Sequence, residues 1–426
     1  MRLNKETFIA GFALFSMFFG AGNLMLPPFL GFTSGNQWYW VALGFIVSAV
    51  AIPILGIIAH ARIQGTMYDF AKKVSPIFSY IYCFTVYVIS ISLPSPRTAS
   101  VTHEMTVLPY LESSYLLTSA VYFILVLIFV LNRSKILDMI GKFLTPLIFI
   151  TILSIITVGI FIAPDIQIQV LIENPLITGL LEGYQTFDAI GAVVIGGVII
   201  VSLKINGKTD FTFNKKLIIQ SGFIAGIGLL IVYTGLIYNG ATFKSLISEE
   251  STRVEVLSSL SSLTLGNTGN LFLSLLVALA CFTTAIGIVT GTADFVKGFF
   301  NDSDVAFRIT AIIGCVLGIL MGQFDVHYII AIAVPALMLI YPITITLILL
   351  NCLPVRLVEP LIFRGVVIAV MIFSLPDFLI SLGLIGENTP FLKYIPLSSY
   401  NLAWLLPGII TFVLLNILLG KGKNDQ

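Results

Sequence analysis

The chain has 426 residues, of which 58% are hydrophobic and only 10% charged, and its mean hydropathy is +1.04. That leaves too little polar surface to cover a water-soluble globule, so the solvent must be mostly lipid. A formal net charge of +1 supplies no broad basic or acidic field, which argues against a nucleic-acid partner and leaves any recognition local. Four cysteines, Cys83, Cys281, Cys315 and Cys352, lie in or beside apolar runs with no CxxC and no neighbouring histidine, and read as packed hydrophobes rather than disulfide or metal positions.

A window of about 19 residues, enough to cross about 30 Å of hydrocarbon, predicts about twelve spans. They run 7–30, 39–61, 77–99, 116–132, 137–163, 177–203, 216–239, 270–298, 306–322, 327–351, 361–383 and 402–420. The first looks at its start like a signal h-region. Its apolar run continues past Gly20 without an A-x-A cleavage pattern, so it is expected to remain as a helix.

Within that first span, Gly20-Ala21-Gly22-Asn23 is followed by Pro27-Pro28, placing flexible backbone and an amide where a continuous helix favours Leu or Ala. The sixth span contains Glu182-Gly183-Tyr184-Gln185-Thr186-Phe187-Asp188, with a carboxylate well inside apolar sequence. A charge there costs at least ~2.5 kcal/mol on insertion scales, so Asp188 should face protein or water and have a purpose. Its structural alternative is a buried polar partner holding two helices together. Spans one and six are separated by five, an odd number, so a five-helix repeat must insert with inverted topology. Broken helices at matching places in two such repeats mark a midplane solute site, where half-helix N–H groups meet anions and freed carbonyls meet cations.

The segment from Lys244 to Asn270 is expected to be an external, partly helical loop. The eighth span carries Ala280-Cys281-Phe282-Thr283-Thr284. Alone, two threonines are weak evidence, because they commonly bond their own helix carbonyls. By position, their hydroxyls and the Ala280 carbonyl can join two carbonyls from the break in the first span. That makes five neutral oxygens, a set suited to a hard monovalent cation. In the ninth span, Gly314, Gly318 and Gly322 read as a helix-packing stripe. His60, His103 and His327 read as scattered interfacial side chains, and no hydrolase or metalloprotease motif accompanies them, so an enzyme is not expected.

If the N-terminus is cytoplasmic, all Lys and Arg fall on the cytoplasmic side except Arg97, Lys244, Arg253 and Lys393, out of 22 in the chain. Miscounting one span would scramble that asymmetry, which therefore supports both the count and cytoplasmic termini in a multi-pass plasma membrane protein.

The run from Gly11 to Asn23 with Pro27-Pro28, the Pro96-Arg97-Thr98-Ala99 segment, Gly183 to Ala189, and Phe282 to Gly287 together resemble the branched-chain amino acid:cation symporters of bacteria, the LIVCS or BrnQ family. The resemblance covers essentially the whole chain. It implies an all-α LeuT-like fold with a first five-helix repeat over 1–163, an inverted second repeat over 177–351, unwound helices one and six, and two additional helices over 361–420. It further implies a sodium site at the carbonyls of Ser16, Phe19 and Ala280 and the hydroxyls of Thr283 and Thr284. The implied substrate site comprises Gly20, Ala21, Gly22, Asn23, Gly183, Tyr184, Thr186 and Phe187, while Asp188 has no sure LeuT counterpart and Arg97 has no assigned role.

The expected activity is sodium-driven import of Leu, Ile and Val by alternating access, with no cofactor beyond the coupling ion and no obligatory protein partner. The alternative is a proton-coupled or exchanging carrier of another small zwitterion or a nucleobase on the same fold. A channel predicts polar stripes along several helices, and these are not evident. A cationic substrate calls for a second intramembrane carboxylate near Asp188, and no clear one stands out in the spans.

Overall fold

A computed structural model describes residues 5–132, 136–164, 169–205, 210–386 and 389–421. Every regular element among them is helical. The first half of the bundle contains α1 (Lys5–Phe18), α2 (Ala21–Ser34), α3 (Trp38–Ile46), α4 (Ile52–Ile63), α5 (Pro76–Ser92), α6 (Pro94–Thr102), α7 (Tyr115–Asn132) and α8 (Ile136–Ile162). The second contains α9 (Pro175–Tyr184), α10 (Asp188–Ile205), α11 (Phe211–Thr242), α12 (Arg253–Phe299), α13 (Asp304–Met321) and α14 (Val326–Cys352), followed by α15 (Pro360–Ser381) and α16 (Leu405–Lys421).

Among the described residues, nine helical stretches are long and apolar enough to cross a membrane, or ten with the bent pair α9 and α10. The difference from about twelve lies at the ends of the chain. There, α1 has 14 residues and α16 has 17, each short of a full crossing on its own. One of the nine, Gly22–Ile63, has 42 residues, about 63 Å of helix and twice a membrane's thickness. Gly35, with φ +50°, turns the chain between α2 and α3, so this stretch holds part of one expected span and all of the next. Large apolar side chains such as Ile77, Phe84, Ile150, Phe223 and Ile313 are exposed, as a lipid-facing surface requires.

The two broken helices exchange partners across the molecule. The halves α1 and α2 pack along α11, whereas α9 and α10 pack along α3 and α4. Glycine sets the closeness of both crossings. A Cβ at Gly31 in α2 would fall on the Ile237 carbonyl, and one at Gly240 in α11 on the Pro28 carbonyl. Gly44 in α3 meets the Leu176 carbonyl in the same way, and Gly179 in α9 meets that of Val41. Without a hydrophobic drive between helices in lipid, this backbone approach maximises dispersion contact. The Gly314, Gly318 and Gly322 stripe packs as expected, against Ile91, Phe123 and Ser119 respectively.

The Lys244 to Asn270 segment is partly helical. Thr252 and Glu255 form a reciprocal cap at the start of α12, and the chain turns at Gly266, with φ +73° and ψ 178°, before the eighth span. That region is essentially closed to residues with a Cβ. Gly266→Ala is expected to cost about 1–3 kcal/mol, read as a lower thermal unfolding midpoint of the purified protein.

Two of the three histidine readings are corrected. His60 is fully buried, stacked on Phe70 at 4.6 Å in a space that Gly196 leaves open. His103 is also buried and bonds Thr118 Oγ1 at 2.8 Å. Their place at span ends suggested an interface, but neighbouring helices cover both rings.

Candidate functional site

The chain leaves helical geometry between α1 and α2 over Phe19 and Gly20 only, a shorter break than the Gly20 to Asn23 motif suggests. Gly20 is extended (φ −107°, ψ −178°) and precedes α2, whose first turn takes in Ala21, Gly22 and Asn23. Asn23 explains the economy of the break. Its Nδ2 donates to the Phe18 carbonyl at 2.9 Å and so closes the end of α1 that the break leaves open. Pro27 and Pro28 lie within α2 without ending it; lacking N–H groups, they free the carbonyls of Asn23 and Leu24 four residues earlier.

The second break spans Gln185, Thr186 and Phe187 and bends α9 against α10 by 42°. Gln185, Thr186 and Phe187 donate their N–H groups three residues back, to Glu182, Gly183 and Tyr184, and tighten the end of α9. Thr186 Oγ1 donates to the Gly183 carbonyl at 2.8 Å and accepts the Asp188 N–H at 3.2 Å, serving both half-helices. Phe187 then takes φ +63°, a left-handed conformation costing a residue with a Cβ roughly 1–2 kcal/mol. Such strain persists only where the surroundings over-determine it.

The surroundings are two buried polar links between the breaks. Asp188 Oδ2 accepts from Asn23 Nδ2 at 2.7 Å and from the Tyr233 hydroxyl of α11 at 3.3 Å, and Asn23 also contacts that hydroxyl. Arg97, on α6, donates from Nη1 to the Gln185 carbonyl at 2.9 Å and lies 5.3 Å over the Phe187 ring. Its Nη2 sits against Gly22, where a Cβ would collide with it. Thus Gly22, Asn23, Thr186, Phe187 and Asp188 converge. Gly183 faces Ser48 instead, with no room for a methyl group, and Tyr184 is buried in a stack on Tyr341 of α14 at 4.4 Å. Ala21 opens the first turn of α2, and its side chain lies outside the described residues.

Of the five oxygens expected at the cation site, a contact among the described residues joins two, those of Thr283 and Ala280. Thr283 Oγ1 donates to the Ala280 carbonyl at 3.0 Å, both within α12, and Thr284 lies one residue on, half-buried. Ser16, near the end of α1, pairs through its hydroxyl with Thr145 of α8 at 2.6 Å, and Phe19 stacks on Phe15 at 4.9 Å.

Sequence reading missed Tyr233, Tyr341 and the place of Arg97 between the breaks. The available signal was a phenol in mid-span, far from the interfaces where Tyr concentrates. It also passed over Asp377, a second intramembrane carboxylate that is 1% exposed. Its Oδ2 accepts from the Ala403 N–H at 3.0 Å, joining α15 to the segment that leads into α16. In the last turn of α9, beside the second break, Glu182 pairs with Arg253 at 3.3 Å. Arg253 also lies 4.9 Å over Phe29 and lines a cavity of about 730 Å³ with Glu104, Tyr115, Asp325 and His327.

A family model described as branched-chain amino acid transport protein matches residues 3–421. The chain belongs to that family. Among its relatives, the branched-chain amino acid permease BraB of Bacillus subtilis is 33% identical over 99% of this chain and 97% of its own. The branched-chain amino acid transport system 2 carrier protein of Pseudomonas aeruginosa is 32% identical over 97% of both chains. The chain is therefore a multi-pass carrier homologous to bacterial permeases, and not an enzyme. Solved structures add the fold. Inward-facing Mhp1 aligns with a TM-score of 0.63 at 14% identity, covering 98% of this chain and 91% of that one. MhsT in complex with L-phenylalanine aligns with a TM-score of 0.56 at 16% identity, over 95% and 97%. Both likenesses assign the bundle to the LeuT fold.

Proposed function

We propose that this carrier imports leucine, isoleucine and valine with sodium, by alternating access around the two helix breaks. The observation that carries the reading is the Asn23 to Asp188 bond, which brings the two breaks together inside the bundle. The substrate site comprises Gly20, Ala21, Gly22, Asn23, Thr186, Phe187 and Asp188, backed by Gly183 against Ser48 and Tyr184 against Tyr341. There the N–H groups opening α2 favour a carboxylate, and the carbonyls ending α1 favour an ammonium. Phe18, Phe19 and Phe187 supply apolar surface, contributing about 0.8 kcal/mol per buried methylene, which separates Leu, Ile and Val only weakly.

Sodium enters between α1 and α12 at the oxygens of Ser16, Phe19, Ala280, Thr283 and Thr284. Binding there requires Thr283 to turn its hydroxyl proton away from Ala280, so that both oxygens face the ion. The halves 1–163 and 177–351 form two inverted repeats, with 361–420 added. Support comes from the packing exchange: α1 and α2 lie on α11 as α9 and α10 lie on α3 and α4. Both termini are cytoplasmic in the plasma membrane, a reading supported by the distribution of Lys and Arg. The cavity beside Arg253 then opens to the outside.

Purified protein in proteoliposomes should accumulate labelled leucine when sodium is high outside and lose accumulation when the gradient is removed. Replacing Thr283 and Thr284 together by alanine should weaken apparent sodium affinity about 30-fold or more, since each lost ligand group is worth about 1–3 kcal/mol. Accumulation that follows a proton gradient and ignores sodium overturns the coupling assignment.

A further inference from the structure

Arg97 lies at the junction of the two breaks, and its charge is poorly compensated by the described residues. The residue is 4% exposed, yet of its five N–H donors only one, on Nη1, has a hydrogen-bond acceptor among the described residues, the Gln185 carbonyl. No carboxylate within ion-pair distance faces it among those residues; Asp188, the acid across the junction, directs Oδ2 to Asn23 and Tyr233. Buried charges are ordinarily paired, and a guanidinium left this way implies a partner that arrives from outside the fold.

The position of Arg97 identifies the charge of that partner. Nη2 lies against Gly22 in the first turn of α2, a 14-residue helix whose opening N–H groups already present a partial positive charge. A guanidinium beside a helix N-terminus places two positive groups together, an arrangement that is unfavourable until an anion lies between them. The anion must also be small and planar enough to meet both. A carboxylate satisfies this, since its two oxygens match the guanidinium fork and can share the backbone donors. The guanidinium carbon lies 5.3 Å over the Phe187 ring, whose backbone is left-handed.

We propose that Arg97 binds the α-carboxylate of the transported amino acid, jointly with the N–H groups that open α2. The assignment rests on the amino acid symport proposed above and adds a residue to it. It also divides the site into poles: the carboxylate lies at Arg97 and Gly22, and the ammonium lies toward Asp188 and the carbonyls ending α1. Gly22 is then required for two reasons, because a side chain there would displace the guanidinium and cover the anion's place.

The test compares leucine with leucinamide, which keeps the ammonium and the side chain but lacks the carboxylate. Calorimetric titration of the purified full-length protein in sodium reads both ligands without requiring transport. Wild type should prefer leucine by about 100-fold, the scale of losing a buried charge-paired contact. In Arg97→Met, leucine affinity should fall by a similar factor while leucinamide affinity stays nearly constant, so the preference collapses. Arg97→Lys, a point charge without the fork, should keep an intermediate preference and also serves if the methionine variant does not fold. A structural role for Arg97 predicts equal loss for both ligands, and an unchanged leucine to leucinamide ratio in the folded variants overturns the proposal. Absence of leucine uptake by wild-type proteoliposomes overturns instead the amino acid reading from which it starts.

Discussion

Replacing Asp188 by alanine is expected to reduce leucine uptake in proteoliposomes at least about 100-fold, the largest effect foreseen on function. The carboxylate accepts from Asn23 and Tyr233, both buried, at 2.7 and 3.3 Å. Truncation leaves both donors without that acceptor, at about 1–3 kcal/mol each, and removes one of the two links between the breaks. Asn23 also closes the end of α1 through the Phe18 carbonyl, so the loss reaches the start of the α2 half-helix as well. Asp188→Asn keeps the size of the side chain and one acceptor oxygen. It should therefore recover much of the thermal stability lost in the alanine variant while leaving uptake low, because the ammonium loses its counter-charge. Equal uptake by wild type and Asp188→Asn would show that Asp188 braces the breaks without serving the substrate, which is the structural alternative for a lone intramembrane carboxylate.

The extent to which this site was legible in the sequence depends on how local its signals are. Both breaks were visible because glycine, asparagine and an aspartate stand out against apolar sequence, and because half-helix chemistry is written within a few consecutive residues. Their lengths were not. Asn23 and Thr186 fold their side chains back onto α1 and α9, so helical turns resume sooner than composition implies. Arg97 was visible as a residue but not as a participant, since its contacts with Gln185, Phe187 and Gly22 cross between distant spans. Tyr233 and Tyr341 are single phenols whose meaning depends on what their helices pack against. Asp377 sits after Pro376, close enough to the end of α15 to read as a boundary residue, yet the chain leading into α16 folds over it. The histidines show the same limit, because position along a span does not say which neighbour covers a ring.

For stability, the largest loss is expected at the glycines where the half-helices meet α3 and α11. Gly179→Val and Gly240→Val each direct a branched side chain at a backbone carbonyl, that of Val41 or Pro28, and no rotamer change moves a Cβ away from a neighbouring backbone. The helices must separate along the whole crossing, so the cost should reach the upper end of overpacking, about 3 kcal/mol or more. The matched control is Gly291→Ala in α12, where nothing lies within 4 Å of the added carbon. There, alanine should stabilise the helix by about 0.5–1 kcal/mol. Size-exclusion profiles and thermal midpoints of the detergent-purified variants measure the contrast. If Gly179→Val and Gly240→Val are as stable as the control, the backbone contacts do not set the crossings. If they are lost, α2 with α11 and α9 with α3 act as two locked pairs. Motion during transport must then occur at Phe19–Gly20 and Gln185–Phe187 or between the pairs, because each pair is too closely packed to slide internally.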